Sequence, residues 1–459
     1  MKLVNVLARK RALALAVCFV CVMAQNSRAQ GGEPQRDQLL NGLRILLWNR
    51  PGDQNVVLKL RIHSGAAFDT SGKAGTMALL GDILFPDQSI HEYFTGEMGG
   101  RLDVETDYDA IEITLEGRAS EYDRIVDTLR AGLVTTPLTP ENLLKLREAR
   151  LKKLNETKAS TSEIANQAIA DRVLGNFPYA HPIGGTAASL AKIERADLML
   201  ARDRFLTPNN ATLTIVGGVD SRRAMRALRQ LLGGWRKSEQ VIPATFRQPD
   251  PPDKRTLILN ATAGSPAEIR IATRGVSRSD RDFFAMSLLA FIARERWRKL
   301  VQPVGKSLFV KAEPHALPEI FVMGAAVDST AALKTLESGL AVMKSLASTP
   351  ATADEMVAAK NYASSTWTAD TRAWLDIDTF GLPPISEQLL SINALSAADL
   401  QRVGARLFND KSISSVIVGN VEQLKQAAAA RNIRSRFDSY RGTAALPSTA
   451  TQPTRSADE

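Results

Sequence analysis

Ser71-Gly72-Lys73-Ala74-Gly75-Thr76-Met77-Ala78-Leu79-Leu80-Gly81-Asp82-Ile83-Leu84-Phe85 is the stretch around which this chain is organised. After the glycine-bounded loop 71–75, apolar residues recur at Met77, Leu80, Ile83 and Leu84, the spacing of a helix with one buried face. The spacing predicts a helix over 76–85. One turn apart on another face stand Ala78, Gly81 and Asp82. Ala78 has no donor atom, Gly81 has no side chain, and one carboxylate at Asp82 cannot hold a metal ion by itself.

Strands flank this helix. Residues 42–47 and 56–62 read as strands with Pro51-Gly52-Asp53 turning between them. Tyr93 to Met98 leads into Gly99-Gly100, then into Arg101-Leu102-Asp103-Val104-Glu105-Thr106 and the alternating run 110–115. Helices are expected over 122–133, 140–154 and 162–174. Residues 236–256 carry Pro243, Pro249, Pro251 and Pro252 among charges and read as a linker.

A shift of 202 residues superposes the ends of two halves without gaps. Ser189 meets Ser391, Ala196-Asp197-Leu198 meets Ala398-Asp399-Leu400, Arg204 meets Arg406, and Ile215-Val216-Gly217 meets Ile417-Val418-Gly419. A helix, a loop and a strand in constant register mark a duplication. The expected fold is α+β, with two homologous domains over 30–235 and 257–436, each a largely antiparallel sheet with helices packed on it. The Ser-, Thr-, Ala- and Pro-rich residues 437–459 are expected to be a disordered tail.

Residues 1–29 have the pattern of a secretory signal: Arg9-Lys10-Arg11, an apolar run 12–24, and Ser27-Arg28-Ala29 before a cut. An uncleaved anchor is the alternative. Export, periplasmic or secreted, is therefore the expectation, with no membrane attachment after signal removal. Cys18 and Cys21 are the only cysteines and would leave with the signal, so the remainder offers no disulfide or thiolate ligand. The net charge of +9 includes Lys2, Arg9, Lys10, Arg11 and Arg28, without which the rest carries +4. That is too little to argue for a nucleic-acid partner. The four histidines, His63, His91, His181 and His315, include no pair at helical ligand spacing.

The chain resembles the insulinase/pitrilysin-type zinc metallopeptidases over roughly residues 38–430. Their signature helix reads Gly-x-x-His-x-x-Glu-His-x-Leu-Phe. Aligned on Gly75 and Leu84-Phe85, the two zinc histidines fall at Ala78 and Asp82 and the catalytic glutamate at Gly81. Phe177-Pro178-Tyr179-Ala180-His181-Pro182, Gly184-Gly185-Thr186 and Pro208-Asn209-Asn210 fit other family segments, as does Gly381-Leu382-Pro383-Pro384. The resemblance implies a processing-peptidase-like fold, and a substrate-aligning strand at Gly99, Gly100, Arg101 and Leu102. It points to Arg298, or Arg296, as a substrate-backbone donor. The family's third ligand is a glutamate seven residues after another; here Glu148 and Glu156 miss that register, so no metal ligand is assigned.

What the resemblance implies is a pseudo-peptidase without catalysis or cofactor of its own. It would line a peptide-binding chamber beside an active subunit that carries the zinc, as a heterodimer. A scaffold or binding protein without a peptidase partner, for example a homodimer, is the alternative. An autonomous peptidase using Asp82, Glu148 and Glu156 is the third reading.

Overall fold

The structure, a computed structural model, describes residues 32–156, 160–240, 246, 249–261, 266–301, 307–367, 370–408, 413–430 and 435–438. The expected signal at 1–29, with Cys18 and Cys21, lies outside them, as does the expected tail 437–459 except for Phe437 and Asp438, which belong to a strand paired with residues 258 and 259 rather than to a disordered tail.

The first half runs β1 (Gln35–Gln38), β2 (Arg44–Asn49), β3 (Asn55–Ile62), α1 (Thr76–Asp82), α2 (Gln88–Gly96), β4 (Arg101–Thr106), β5 (Ile111–Arg118) and α3 (Tyr122–Arg130). It continues with α4 (Pro140–Glu156), α5 (Thr161–Leu174), α6 (Ala187–Leu190), α7 (Arg195–Phe205), β6 (Ala211–Gly217) and α8 (Ser221–Leu232). The second half opens with β7 (Thr256–Asn260), β8 (Ala267–Arg274), α9 (Phe283–Leu300), β9 (Phe309–Ala312) and β10 (Ile320–Val327). Then come α10 (Ala332–Ser348), α11 (Ala353–Thr366), α12 (Thr371–Phe380), α13 (Ile385–Ala394), α14 (Ala397–Leu407), β11 (Ser414–Gly419), α15 (Val421–Ala430) and β12 (Ser435–Asp438).

The two six-stranded sheets have the orders β1-β2-β6-β3-β5-β4 and β12-β7-β11-β8-β10-β9. In both, the pair β2·β6 or β7·β11 is parallel and the following three pairs are antiparallel. The outer strands differ: β1 joins antiparallel, whereas β12, from the far end of the chain, joins parallel. The 202-residue register extends to the helix starts. Glu194 and Asp197 form a capping box on α7, and Ser396 and Asp399 form one on α14.

Each sheet packs one face on its own helices and offers the other to a helix of the opposite half. Helix α5 lies on β8 and β11, where Ala165, Ile169 and Val173 meet Leu257, Ala272 and Val416. Helix α12 lies on β6, with Trp374 and Ile377 against Leu46 and Trp48. Polar anchors fix both exchanges. Thr212 on β6 donates to Asp378 of α12, while Arg172 of α5 donates to Ser414 on β11 at 3.0 Å. Arg61 is nearly inaccessible and pairs with Asp376 at 2.7 Å and Glu112 at 2.5 Å.

Several boundaries differ from the periodicity reading. Helix α1 ends at Asp82, and 83–85 turn away so that Phe85 covers Gly132, where a Cβ would lie 2.4 Å from the ring. The expected helix over 122–133 stops at Arg130 and widens into a π turn over Ala131–Thr135 at that contact. Within the expected linker, Phe246 packs edge-on against Phe68 and Phe177.

Candidate functional site

Helix α1 begins at Gly75, whose φ of +97° suits glycine, and Asp69 caps it from outside. The Asp69 carboxylate accepts from Gly75 N at 2.7 Å and Met77 N at 2.8 Å. Burial raises Asp69 to about 7, against the pull of those two amides and of Arg150. The helix was expected to bury one face. Instead every residue from Thr76 to Gly81 is buried, because α4, α7 and β4 close around it.

The small residues permit that closure. Ala78 is 1% exposed, and a Cβ on Gly81 would stand 2.9 Å from Thr106 Oγ1 and 3.4 Å from Val104 Cγ1 of β4. Asp82 is taken by Arg150 of α4: Nε lies 2.5 Å from Oδ2 and Nη2 lies 2.9 Å from Oδ1. The same Nη2 donates to the Ala78 carbonyl at 3.0 Å. This is a two-pronged guanidinium–carboxylate pair, the strong form of such contacts. Glu148 and Glu156 on α4 are exposed, and Glu156 lies 3.8 Å from Lys152.

A zinc ion does not fit these residues. Zinc needs about four N, O or S donors with a position left for water, and a hydrolase also needs a base. Position 78 supplies no side-chain donor, position 81 supplies no base, and the Asp82 carboxylate already faces a cation. Among the described residues no group of three His, Cys, Asp or Glu side chains is placed to hold a metal.

Beside this site runs β4, an edge strand of the first sheet. Gly99 and Gly100 set its start. Gly99 has a φ of +71°, and a Cβ on Gly100 would sit 2.0 Å from the Glu116 carbonyl oxygen of β5. Arg101 is exposed and pairs with Glu116 and Asp103, while Leu102 is buried and its carbonyl accepts from His91 Nδ1 at 2.9 Å. Gly81 thus meets β4 at Val104 and Thr106, whereas Gly99 to Leu102 stand at the opposite, leading end of the strand. The structure places Arg298 elsewhere, on α9 of the second half, exposed and paired with Glu295 at 2.8 Å. Arg296 ties α9 to Glu355 of α11.

Two features escaped the sequence reading. Arg150 is one; a search for ligand carboxylates on α4 passes over a cation. The other is a polar knot between the halves. Asp109, from the turn between β4 and β5, accepts from Tyr179 and from His315 Nδ1 at 2.8 Å, and Glu319 lies 3.4 Å from His315 Nε2. Burial opposes the charge on His315, but the hydrogen bond to Asp109 and the charges of Glu319, Asp109 and Asp107 outweigh it and hold it at about 9. Burial pushes Glu319 up to about 7, with His315 pulling the other way. His63, buried at the other contact between halves, is driven down to about 3 by burial and by Arg44 and Arg61.

Comparison with known proteins follows the same lines. Residues 192–362 match the family described as the Peptidase M16 inactive domain. An uncharacterised zinc protease of Rickettsia felis is 20% identical over 217 residues, 46% of this chain and 52% of that protein. Subunit 1 of the human mitochondrial cytochrome b-c1 complex is 21% identical over 218 residues, 46% of this chain and 45% of that protein. The matches thus span about half the length of these curated relatives.

Among solved structures, a peptidase M16 inactive domain from Pseudomonas fluorescens superposes with a TM-score of 0.74 at 17% identity. It covers 85% of this chain and 98% of that one. The first half of the periplasmic protease PqqL from Escherichia coli superposes with a TM-score of 0.70 at 14% identity, over 90% and 99% of the two chains. At these identities the likeness is one of fold.

Proposed function

We propose, from the match of residues 192–362 to the Peptidase M16 inactive domain and from the shared fold, that this homologue of the M16, or insulinase-type, peptidases is a peptide-holding partner of an active subunit rather than a hydrolase. The observation that carries this reading is the Arg150–Asp82 pair. Where a zinc peptidase needs ligands and a base, this chain has a closed ion pair, an alanine and a glycine. Beside it β4 lies at the edge of the first sheet. An extended peptide adds to such an edge through backbone hydrogen bonds, with alternate side chains entering pockets. The partner would carry His-x-x-Glu-His and the zinc, and this chain would supply wall and grip. The basic-then-apolar pattern of residues 1–29 supports a pair that works after export.

The test is co-expression with an exported relative that carries an intact His-x-x-Glu-His. The expected result is a one-to-one complex that cleaves peptides and holds zinc in the partner, with neither chain alone matching its rate. Full cleavage by the partner alone, in the absence of any complex, would overturn the reading. The likeness to a cytochrome b-c1 subunit favours a second reading, a structural subunit without peptide traffic. A stable assembly that neither binds nor cleaves peptides would select it.

A further inference from the structure

Arg150 does more than fill space. Its guanidinium reaches across from α4 to α1, grips both carboxylate oxygens of Asp82, and takes the Ala78 carbonyl one turn earlier. A divalent ion at this point would perform the same tasks: it would neutralise an acidic ligand and join two helices. We propose that Arg150 is the resident cation of this site, replacing a metal as the link between α1 and α4 and excluding one by its charge. The inference stands on this chain alone and holds whether or not a partner subunit exists.

Three observations converge on it. The pair is largely enclosed, with Arg150 and Asp82 side chains 24% and 31% exposed, so its attraction is less screened than that of a surface pair. Arg150 contacts the Asp82 carboxylate and the backbone carbonyl of Ala78, one turn earlier, so that one cation satisfies two oxygens on the same face of α1. The reach also fits. A glutamate at 150 would be shorter than arginine by Nε and Cζ, and a metal–oxygen bond of ~2 Å would make up most of that gap. Arg150 therefore spans the gap between α1 and α4 that a shorter acidic side chain and an ion would together span.

The experiment titrates zinc into the purified protein, into Ala78→His/Asp82→His, and into the same pair combined with Arg150→Glu or with Arg150→Met. Circular dichroism checks that each is folded. With Arg150 kept, the double variant is expected to bind zinc weakly. Removing the positive charge with methionine tightens binding, and glutamate tightens it further, by on the order of 100-fold over the double variant. The methionine variant keeps the test decisive if the glutamate variant does not fold. Equal zinc affinity with arginine and methionine at 150 would overturn the proposal. In the natural background, Asp82→Asn and Arg150→Met are expected to lower Tm by similar amounts and non-additively; additive losses would also overturn it.

Discussion

At the scale of single residues, the knot around His315 sets how stability responds to pH. The folded protein holds a proton on His315 up to about 9, where a free histidine would release it near 6.5. It also holds one on Glu319 up to about 7, where a free glutamate would release it near 4.5. In both cases the folded state binds more protons than the unfolded one, so stability falls as pH rises. The contribution of His315 is fully present below pH 6.5 and is lost as pH passes 9. His63 acts in the opposite sense, but only between about 3 and 6.5, so it leaves the alkaline limb clear. The unfolding free energy from denaturant titrations is therefore expected to fall between pH 7 and 9.5 by on the order of 1–3 kcal/mol. His315→Gln should flatten that slope; an unchanged slope would show that the knot is not its source.

At the scale of elements, the junction of α2 with β4 rests on one close approach. Gly100→Ala drives a methyl group onto the Glu116 carbonyl, 2.0 Å away, and should cost about 2–4 kcal/mol by prying β4 from β5. Arg101→Ala, on an exposed side chain, should stay within about 0.5 kcal/mol. Chemical denaturation of the two variants checks both values. If β4 holds peptides, the first change abolishes binding of an extended peptide and the second only modulates it, as a fluorescence-polarisation titration would read.

These elements were largely legible in advance, and for physical reasons. The period of 3.6 marks the helix, although it ends at Asp82 and is buried on every face; the alternation over 110–115 reports burial directly, and the double glycine reports a backbone that another strand crowds. Arg150 was not legible. On α4, with Lys145, Arg147, Lys152 and Lys153 around it, one more cation looks like part of a solvated face. Its role depends on where α4 lands relative to Asp82, 68 residues earlier. The same holds for Asp109, Tyr179 and His315, which meet only because the halves dock.

At the scale of the whole molecule, the exchanged helices make the two halves one folding problem. Without α12 the first sheet would expose Leu46 and Trp48, and without α5 the second would expose Leu257 and Val416. Either half expressed alone is therefore expected to aggregate or to lack a cooperative transition, while the full chain unfolds in one step. Trp374→Ala, in the second half, should cost about 3–5 kcal/mol. It should also speed amide exchange in β2 and β6 of the first half. Loss of protection confined to residues after 256 would contradict this coupling.

The anchors of those exchanged helices differ in sign, and this sets which half can sit where. Thr212 meets an acid, Asp378, in a neighbourhood that includes Arg44 and Arg61, whereas its counterpart Ser414 meets a base, Arg172. If two first halves docked on each other, Arg172 would be driven toward Arg44 and Arg61. Like charge thus opposes a first half docking on its own copy, while the second half offers Asp378 in the same place.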